Sequence, residues 1–246
     1  MAAVTWLGFG AFFVVAWVVG IRLLLLARRS GELPELLVGI GVLGIGPVGF
    51  GLSVIGQHLV GGGLAPAVRA TALLAVGAGT VAQFTFIWRV YHPQSRLTMG
   101  IVGVTALVTL LCFAASVSSG STGMQDVTLA NATRSWLLIA CLLWGSAEAI
   151  RYWRMMQRRK ALGLADPVVT ARFLLWGIAA AAAGIGAAIS NFATFMLRVA
   201  PDTLWVMMNS SLFGLIAAIG MWLAFLPPPR YLAHVRGEAS SAASSH

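Results

Sequence analysis

Charged residues are scarce in this chain. Only 9% of its 246 residues are Asp, Glu, Lys or Arg, 59% are hydrophobic, and the mean hydropathy is +0.89. Soluble globular domains contain about 25% charged residues, so this composition excludes an ordinary soluble domain and is typical of a membrane protein. Because a bilayer core about 30 Å thick needs roughly 20 apolar residues per helix, the chain has room for about seven spans.

Lysine, cysteine and histidine are also few. The single lysine, Lys160, lies in a predicted loop, which excludes a retinal Schiff base in the last helix. Cys112 and Cys141 fall within apolar runs, where thiols usually act as packing residues. The four histidines do not pair at ligand spacing, and no P-loop, GxSxG or HExxH motif occurs. The sequence therefore predicts no metal site, no cofactor and no catalytic residues, and we expect that the protein is not an enzyme.

Apolar runs follow one another along the chain, each bounded by charge, proline or glycine. The first run has no signal-peptide cleavage pattern and is predicted to remain as a helix. We predict an all-α integral membrane bundle of seven transmembrane helices over residues 1–229, and a short disordered cytoplasmic tail over residues 230–246. The predicted spans are 4–27, 35–59, 67–90, 97–118, 134–154, 168–196 and 204–226.

The basic residues are distributed unequally between the two sides of this predicted bundle. Lys and Arg together number 16, and all of them except Arg69, Arg134 and Arg198 lie on one side. Because positively charged flanks stay in the cytoplasm, we expect the N-terminus outside and the C-terminus in the cytoplasm of a multi-pass plasma-membrane protein. The net charge of +9 then reflects topology and contact with membrane lipids, and we expect no nucleic-acid partner.

Polar side chains concentrate in the outer halves of the second, sixth and seventh spans. A polar group within a bilayer is costly, so it indicates a functional site by default. In the sixth span three such residues share one helix face at i, i+3 and i+7. We therefore predict an outer-leaflet ligand pocket lined by Ser53, Gln57, His58, Asn191, Thr194, Arg198, Asn209 and Ser210.

Other interpretations of the polar residues remain open. Asn and Ser also join helices to each other in membranes, and Arg198 can reach the interface and pair with Asp202. Glu148 in the fifth span can form a local ion pair with Arg151. Alternatively, Glu148 can relay a proton or contact Gln83 of the third span.

The second span contains the stretch GIGVLGIGPVGFG, in which Pro47 has glycines on both sides. Small residues allow neighbouring helices to pack closely, while a proline inside a helix also produces a kink. A kink at Pro47 would give a protein that switches between conformations a flexible point.

The segments GLADPVVTARFLLW (163–176) and WLAFLPPPRY (222–231) resemble those of a group of bacterial seven-helix membrane proteins. The aromatic-Pro-Pro-basic exit from the last helix is similar to that of membrane sensor modules of some histidine kinases, and the likeness covers the C-terminal third. The resemblance implies a sensory module in the bacterial inner membrane. Because no output domain follows Pro229, a signal would have to pass to a separate protein.

The sequence thus predicts a receptor-like membrane sensor that binds a small molecule or lipid in the outer pocket. It would signal through a separate cytoplasmic or membrane partner. Two alternatives remain: a small-solute transporter, whose path would continue through Gln83, Glu148 and Arg151, and a structural subunit of a membrane complex.

Overall fold

The structure, a computed structural model, describes residues 2–124 and 126–236, and it describes side chains from residue 10 onward. The described residues form helices joined by short connections, with no strand among them. The predicted all-α class is therefore confirmed. In chain order the helices are α1 Ala2–Ser30, α2 Leu33–Leu43, a π-helix Gly44–Phe50, α3 Gly51–His58, α4 Leu64–Tyr91, α5 Arg96–Ser118, α6 Leu129–Ala161, α7 Pro167–Phe195, α8 Leu204–Phe225 and α9 Pro229–Arg236.

Six segments of the described chain are long and apolar enough to cross a membrane, and they indicate a multi-pass membrane protein. They correspond to six of the seven predicted spans. The helix at the predicted fifth span, α6, is long enough but carries Arg134, Glu148 and Arg151, and it is not among the six. The six are Gly10–Ser30, Leu33–His58, Leu64–Tyr91, Arg96–Ser118, Pro167–Phe195 and Leu204–Phe225.

Several helices begin at a polar residue whose side chain accepts a hydrogen bond from the first turn. An oxygen of Asp166 accepts from the backbone N–H of Val168 at 2.6 Å, and Pro167 takes the first helical position of α7. The hydroxyl oxygens of Ser95 and Thr128 cap α5 and α6 in the same way. Such caps satisfy backbone N–H groups that have no partner inside the helix.

The packing of the helices forms a closed ring. The helix α1 packs against α2 and α8, and the ring continues from α2 to α4, α6, α7 and α8. The helix α5 lies outside the ring and packs only against α4 and α6 among the described elements. Its outer face, including Leu97, Leu107 and Leu110, is exposed. In a bilayer this face would contact lipid.

Glycines allow the closest approaches in the ring. A Cβ atom on Gly44 would lie 2.7 Å from the carbonyl oxygen of Ala75. The π-helix can therefore approach α4 this closely only because Gly44 has no side chain. Where α1, α2, α7 and α8 meet, Val19, Val38 and Met221 form a buried apolar cluster with their neighbours. Close packing of small and apolar residues is the usual basis of helix association in membranes.

The π-helix Gly44–Phe50 interrupts the second span and contains Pro47. Proline has no backbone N–H, and its ring clashes with the carbonyl four residues earlier in an α-helix. A wider π-turn relieves this conflict, and π-turns within α-helices are frequent at functional sites. The irregularity predicted at Pro47 therefore takes the form of a local widening, after which α3 continues the span.

The chain after α8 differs in part from the predicted disordered tail. Residues 229–236 form the short helix α9, which packs against α7. Pro229 occupies the first helical position, where proline is favoured, and Tyr231, Leu232 and Val235 give the helix one apolar face. The remaining tail residues, 237–246, lie outside the described residues.

Candidate functional site

A cavity of about 390 Å³ lies inside the ring. Its walls come from α1, the π-helix, α4, α6, α7, α8 and the α5–α6 and α7–α8 loops, so every helical segment of the ring except α2 and α3 contributes. The volume falls within the range of about 300–1,000 Å³ typical of small-molecule sites. Most lining residues are apolar, and among them are Phe12, Phe13, Phe50, Ile139 and Phe213.

Arg134, in the second turn of α6, gives this apolar cavity a positive charge. Its side chain is only 5% exposed, and its Nη2 donates a hydrogen bond to Oδ1 of Asn131. Its Nη1 has no hydrogen-bond partner, and no carboxylate forms an ion pair with it among the described residues. A buried charge without a partner is strongly unfavourable. Arg134 is therefore the most unusual polar group lining the cavity.

Asn131 fixes the position of Arg134. Its Nδ2 donates to the backbone carbonyl oxygens of Gly123 and Asp126, both at 2.8 Å. The carboxylate of Asp126 accepts from the N–H of Gly123 at 2.9 Å, so the α5–α6 loop is bonded within itself as well as to α6. Because Asn131 holds the loop with one side of its amide and Arg134 with the other, the guanidinium is anchored at this end of the ring.

Asn191 and Thr194 of α7 line the same cavity and are buried. The Nδ2 of Asn191 has no hydrogen-bond partner among the described residues. The antiparallel helices α6 and α7 have a register in which Gly184 faces Leu143. Stepping nine residues along each helix from that pair brings Arg134 level with position 193, two residues from Asn191, so the two residues lie at similar depths.

Polar residues on α7 and α8 bind each other beside the cavity. The Nδ2 of Asn209 donates to the carbonyl oxygen of Gly186 at 2.9 Å and to Oγ of Ser190 at 3.0 Å. The hydroxyls of Ser190 and Ser210 are 3.2 Å apart, and both line the cavity. Asn209 thus joins two helices, as the interhelical interpretation of these polar residues expects.

Three of the eight predicted site residues line the cavity: Asn191, Thr194 and Ser210. Asn209 bonds to the cavity-lining Ser190 without lining the cavity itself. The structure does not bring the remaining four to the cavity. These four are Ser53, Gln57, His58 and Arg198.

The second span reaches the cavity through the π-helix instead of through its polar end. Ile45, Gly46 and Phe50 line the cavity, while Ser53 is buried on α3 and His58 is exposed at its end. The polar residues of the second span were visible in the sequence, but the rotation of α3 after the π-helix was not.

Arg198 lies outside the cavity because α7 ends before it. The last helical residue is Phe195, and Arg198 has a left-handed backbone with φ 56°. The helical i+7 spacing from Asn191 therefore does not apply to it. Arg198 is exposed, and within the described part of the chain no ion pair joins it to Asp202.

The predicted site did not include the polar residues of α6. Asn131, Arg134 and Ser135 line the cavity together. Their i, i+3, i+4 spacing places them on one helix face, and this spacing within the sequence NATRSW was the available signal. From the sequence alone, Arg134 is predicted only to be a flanking basic residue.

At the other end of α6, Glu148 accepts three hydrogen bonds or ion pairs. Its Oε1 is 2.8 Å from Nε2 of His92 and 3.3 Å from Nε1 of Trp144, and its Oε2 is 3.4 Å from Nη1 of Arg151. The predicted pair with Arg151 is present in this geometry. Gln83 lies against Gly41 of α2 instead. Glu148 thus connects the end of α4 to α6, and it does not line the cavity.

A second, smaller cavity of about 260 Å³ lies between α1, α4, α7 and α8. It is lined by the exposed Arg22 and Arg172 together with aromatic side chains, including Trp176 and Phe225. On both α7 and α8 its lining residues belong to the opposite half of the helix from those of the larger cavity. Basic grooves of this kind suit anionic lipid headgroups.

No match was found when the chain was compared with protein-family models, with curated proteins and with solved structures. The resemblance to sensor modules of histidine kinases therefore stays a prediction.

Proposed function

We propose that the protein is a receptor-like membrane sensor that binds a small molecule or lipid in the cavity inside the ring. The cavity itself is the observation that carries this proposal, because it has the volume of a ligand site, an apolar wall and a few polar groups at one end. Within a membrane bundle, polar groups that face a cavity are expected to act on a ligand. The signal would pass to a separate membrane or cytoplasmic partner.

The proposal includes a seventh span, α6, with the N-terminus outside and the C-terminus in the cytoplasm of a bacterial inner membrane. The 33 residues of α6 extend over about 50 Å, more than the thickness of a bilayer core. Arg134 and Glu148 are buried in the bundle and do not face lipid, which makes charge within a span tolerable. The basic end of α6 then lies in the cytoplasm, and the cavity lies in the outer half.

The π-helix supports a conformational response to the ligand. Because Ile45, Gly46 and Phe50 belong to the cavity wall, a ligand would contact a membrane segment whose helical geometry is irregular. The π-helix sets the rotation of α3 relative to α2, and a change in its geometry would turn α3. A ligand that favours one geometry of this segment would shift the equilibrium between two states.

Ligand binding can be tested by filling the cavity. Native mass spectrometry of protein in nanodiscs measures whether a discrete small mass remains bound. We expect a bound mass with the wild-type protein and its loss in Ala187→Phe, since Ala187 lines the cavity. The control is Ile189→Phe, which places the same ring at an exposed position on the same helix and should retain the bound mass. A mass that persists in both variants would contradict the proposal.

A transporter is the second candidate, and the smaller cavity favours it. The two cavities occupy opposite halves of α7 and α8, and the buried residues Val19, Ala179 and Met221 lie where α1, α7 and α8 pack together. A transporter would open such a contact alternately toward each side. Flux measured in liposomes separates the candidates, because a sensor binds its ligand without moving it across the membrane.

A further inference from the structure

The geometry points to an anionic ligand: a carboxylate or phosphate group that binds the guanidinium of Arg134 and the side-chain amide of Asn191 and carries an apolar tail. This inference rests on the proposed function, because it assigns the chemistry of the ligand that the cavity takes. It depends on two buried residues that line one cavity, each with a donor atom that has no partner within the described part of the chain.

The charge of Arg134 demands a counter-charge. A guanidinium does not lose its proton in proteins, so it cannot escape burial by becoming neutral, as a lysine or carboxylate can. Asn131 accepts one of its hydrogen bonds but contributes no charge. The carboxylates of Glu148 and Asp126 are engaged with other groups. An anion in the cavity would pair with Arg134 and supply the missing charge.

The donors around Arg134 suit an anion with two or more oxygens. A guanidinium presents its N–H groups as a fork that matches a carboxylate or phosphate. Asn191 adds an amide at a similar depth, and Thr194 and Ser135 line the same cavity with hydroxyl-bearing side chains. A neutral ligand would leave the charge of Arg134 uncompensated.

The remainder of the cavity determines what is attached to the anion. From Arg134 the lining continues along α6 through Leu138 and Ile139 to Leu142, a further eight residues or about 12 Å along the helix axis. The side chains opposite are aromatic or aliphatic, including Phe12 and Phe213. An amphipathic molecule would therefore bind with its anionic group beside the α5–α6 loop and its tail toward the middle of the ring.

Decanoate and decanol provide matched probes, since they share an alkyl chain and differ in charge. Binding is measured with the full-length protein in nanodiscs of zwitterionic phosphatidylcholine. We expect the wild-type protein to bind decanoate at least about 10-fold more tightly than decanol, since hydrogen bonds to charged groups contribute an affinity factor of this order. Arg134→Gln should remove this preference and Asn191→Leu should reduce it. Arg198→Gln, which removes an exposed arginine outside the cavity, should keep it.

The binding results test the anionic ligand and the proposed function separately. Equal binding of decanoate and decanol by the wild-type protein would overturn the anionic ligand and leave the cavity as a ligand site. Binding of neither probe up to about 1 mM, an affinity near the weak limit for a specific site, would overturn both the inference and the proposed function. If Arg134→Gln does not fold, Arg134→Lys retains the charge, and its preference for decanoate should persist.

The source of the anion is assigned by adding phosphatidylglycerol to the nanodiscs. If this lipid weakens decanoate binding by competition, the anionic group belongs to a membrane lipid headgroup. If decanoate binding is unchanged, the ligand is a free amphipathic anion. An equal loss of decanoate and decanol binding on adding the lipid would contradict recognition of the anionic group.

Discussion

Arg134 and Asn209 represent two roles of polar side chains inside the bundle. Asn209 makes hydrogen bonds to α7, so its function is explained by helix association. Arg134 has a free donor and no counter-charge among the described residues, so packing alone does not explain it. These two residues predict opposite effects on stability.

Without a ligand, Arg134→Gln should leave the melting temperature unchanged or raise it. The substitution removes a buried charge whose desolvation is not compensated, while the new amide keeps a donor for Asn131. Thermal unfolding in detergent, followed by tryptophan fluorescence, measures this. A strongly lowered melting temperature would contradict this expectation and show that Arg134 contributes to the stability of the fold.

Asn209→Leu should lower the melting temperature by a few degrees, because it removes two hydrogen bonds between α7 and α8. Interhelical bonds in membranes contribute about 0.6 kcal/mol each on average. Asn191→Leu is the matched control, since Nδ2 of Asn191 donates no hydrogen bond among the described residues. The same thermal measurement should find Asn191→Leu close to wild type, and equal losses in both variants would contradict the distinction.

Sequence reasoning could find polar residues at this scale but could not assign their partners. Asn191, Thr194 and Ser210 were predicted and do line the cavity, because polarity within an apolar run is visible in one dimension. Ser53 and His58 were predicted in the same way, yet they lie elsewhere, because the pattern does not report how a helix is rotated.

The composition of α6 as a whole does not indicate a membrane span, whereas its packing places it within the bundle. Its charges keep it out of the group of apolar helices, but it packs against α4, α5 and α7 and completes the ring. The sequence predicts a span there, over residues 134–154, because it is an apolar run bounded by charge. The other six spans were predictable because long apolar runs have few alternatives in a chain of this composition.

Cysteine labelling tests whether α6 crosses the membrane. We expect a membrane-impermeant maleimide to label Val127→Cys from outside intact cells, and Leu164→Cys only after the membrane is opened. Both positions are exposed and flank α6, while the native Cys112 and Cys141 are free but buried and should react poorly. Labelling of both positions from the same side would exclude α6 as a span.

The whole molecule is organised by the closure of its ring. Hydropathy predicts how many helices cross a bilayer but contains no information about which helix packs against which, since lipid and protein interiors are similarly apolar. The ring, the external position of α5 and the cavity therefore required the structure. The close glycine contacts identify where the ring is most sensitive to substitution.

Gly44→Ala should destabilise the bundle, because the added Cβ would lie 2.7 Å from a backbone oxygen of α4 and would separate two ring helices. Overpacking of this kind typically costs about 1–3 kcal/mol. Gly103→Ala on α5 is the control, since nothing lies within 4 Å of its added Cβ. Thermal unfolding should be impaired only in Gly44→Ala, and similar behaviour of the two variants would argue against the ring.

The position of α5 outside the ring also has a practical consequence. Because none of its residues lines either cavity, a fluorophore attached to its exposed face would not occupy space that a ligand needs. The face that includes Leu107 and Leu110 is therefore a suitable place for a reporter group. Changes in its emission would follow movements of α4 and α6 while the cavity itself keeps its native side chains.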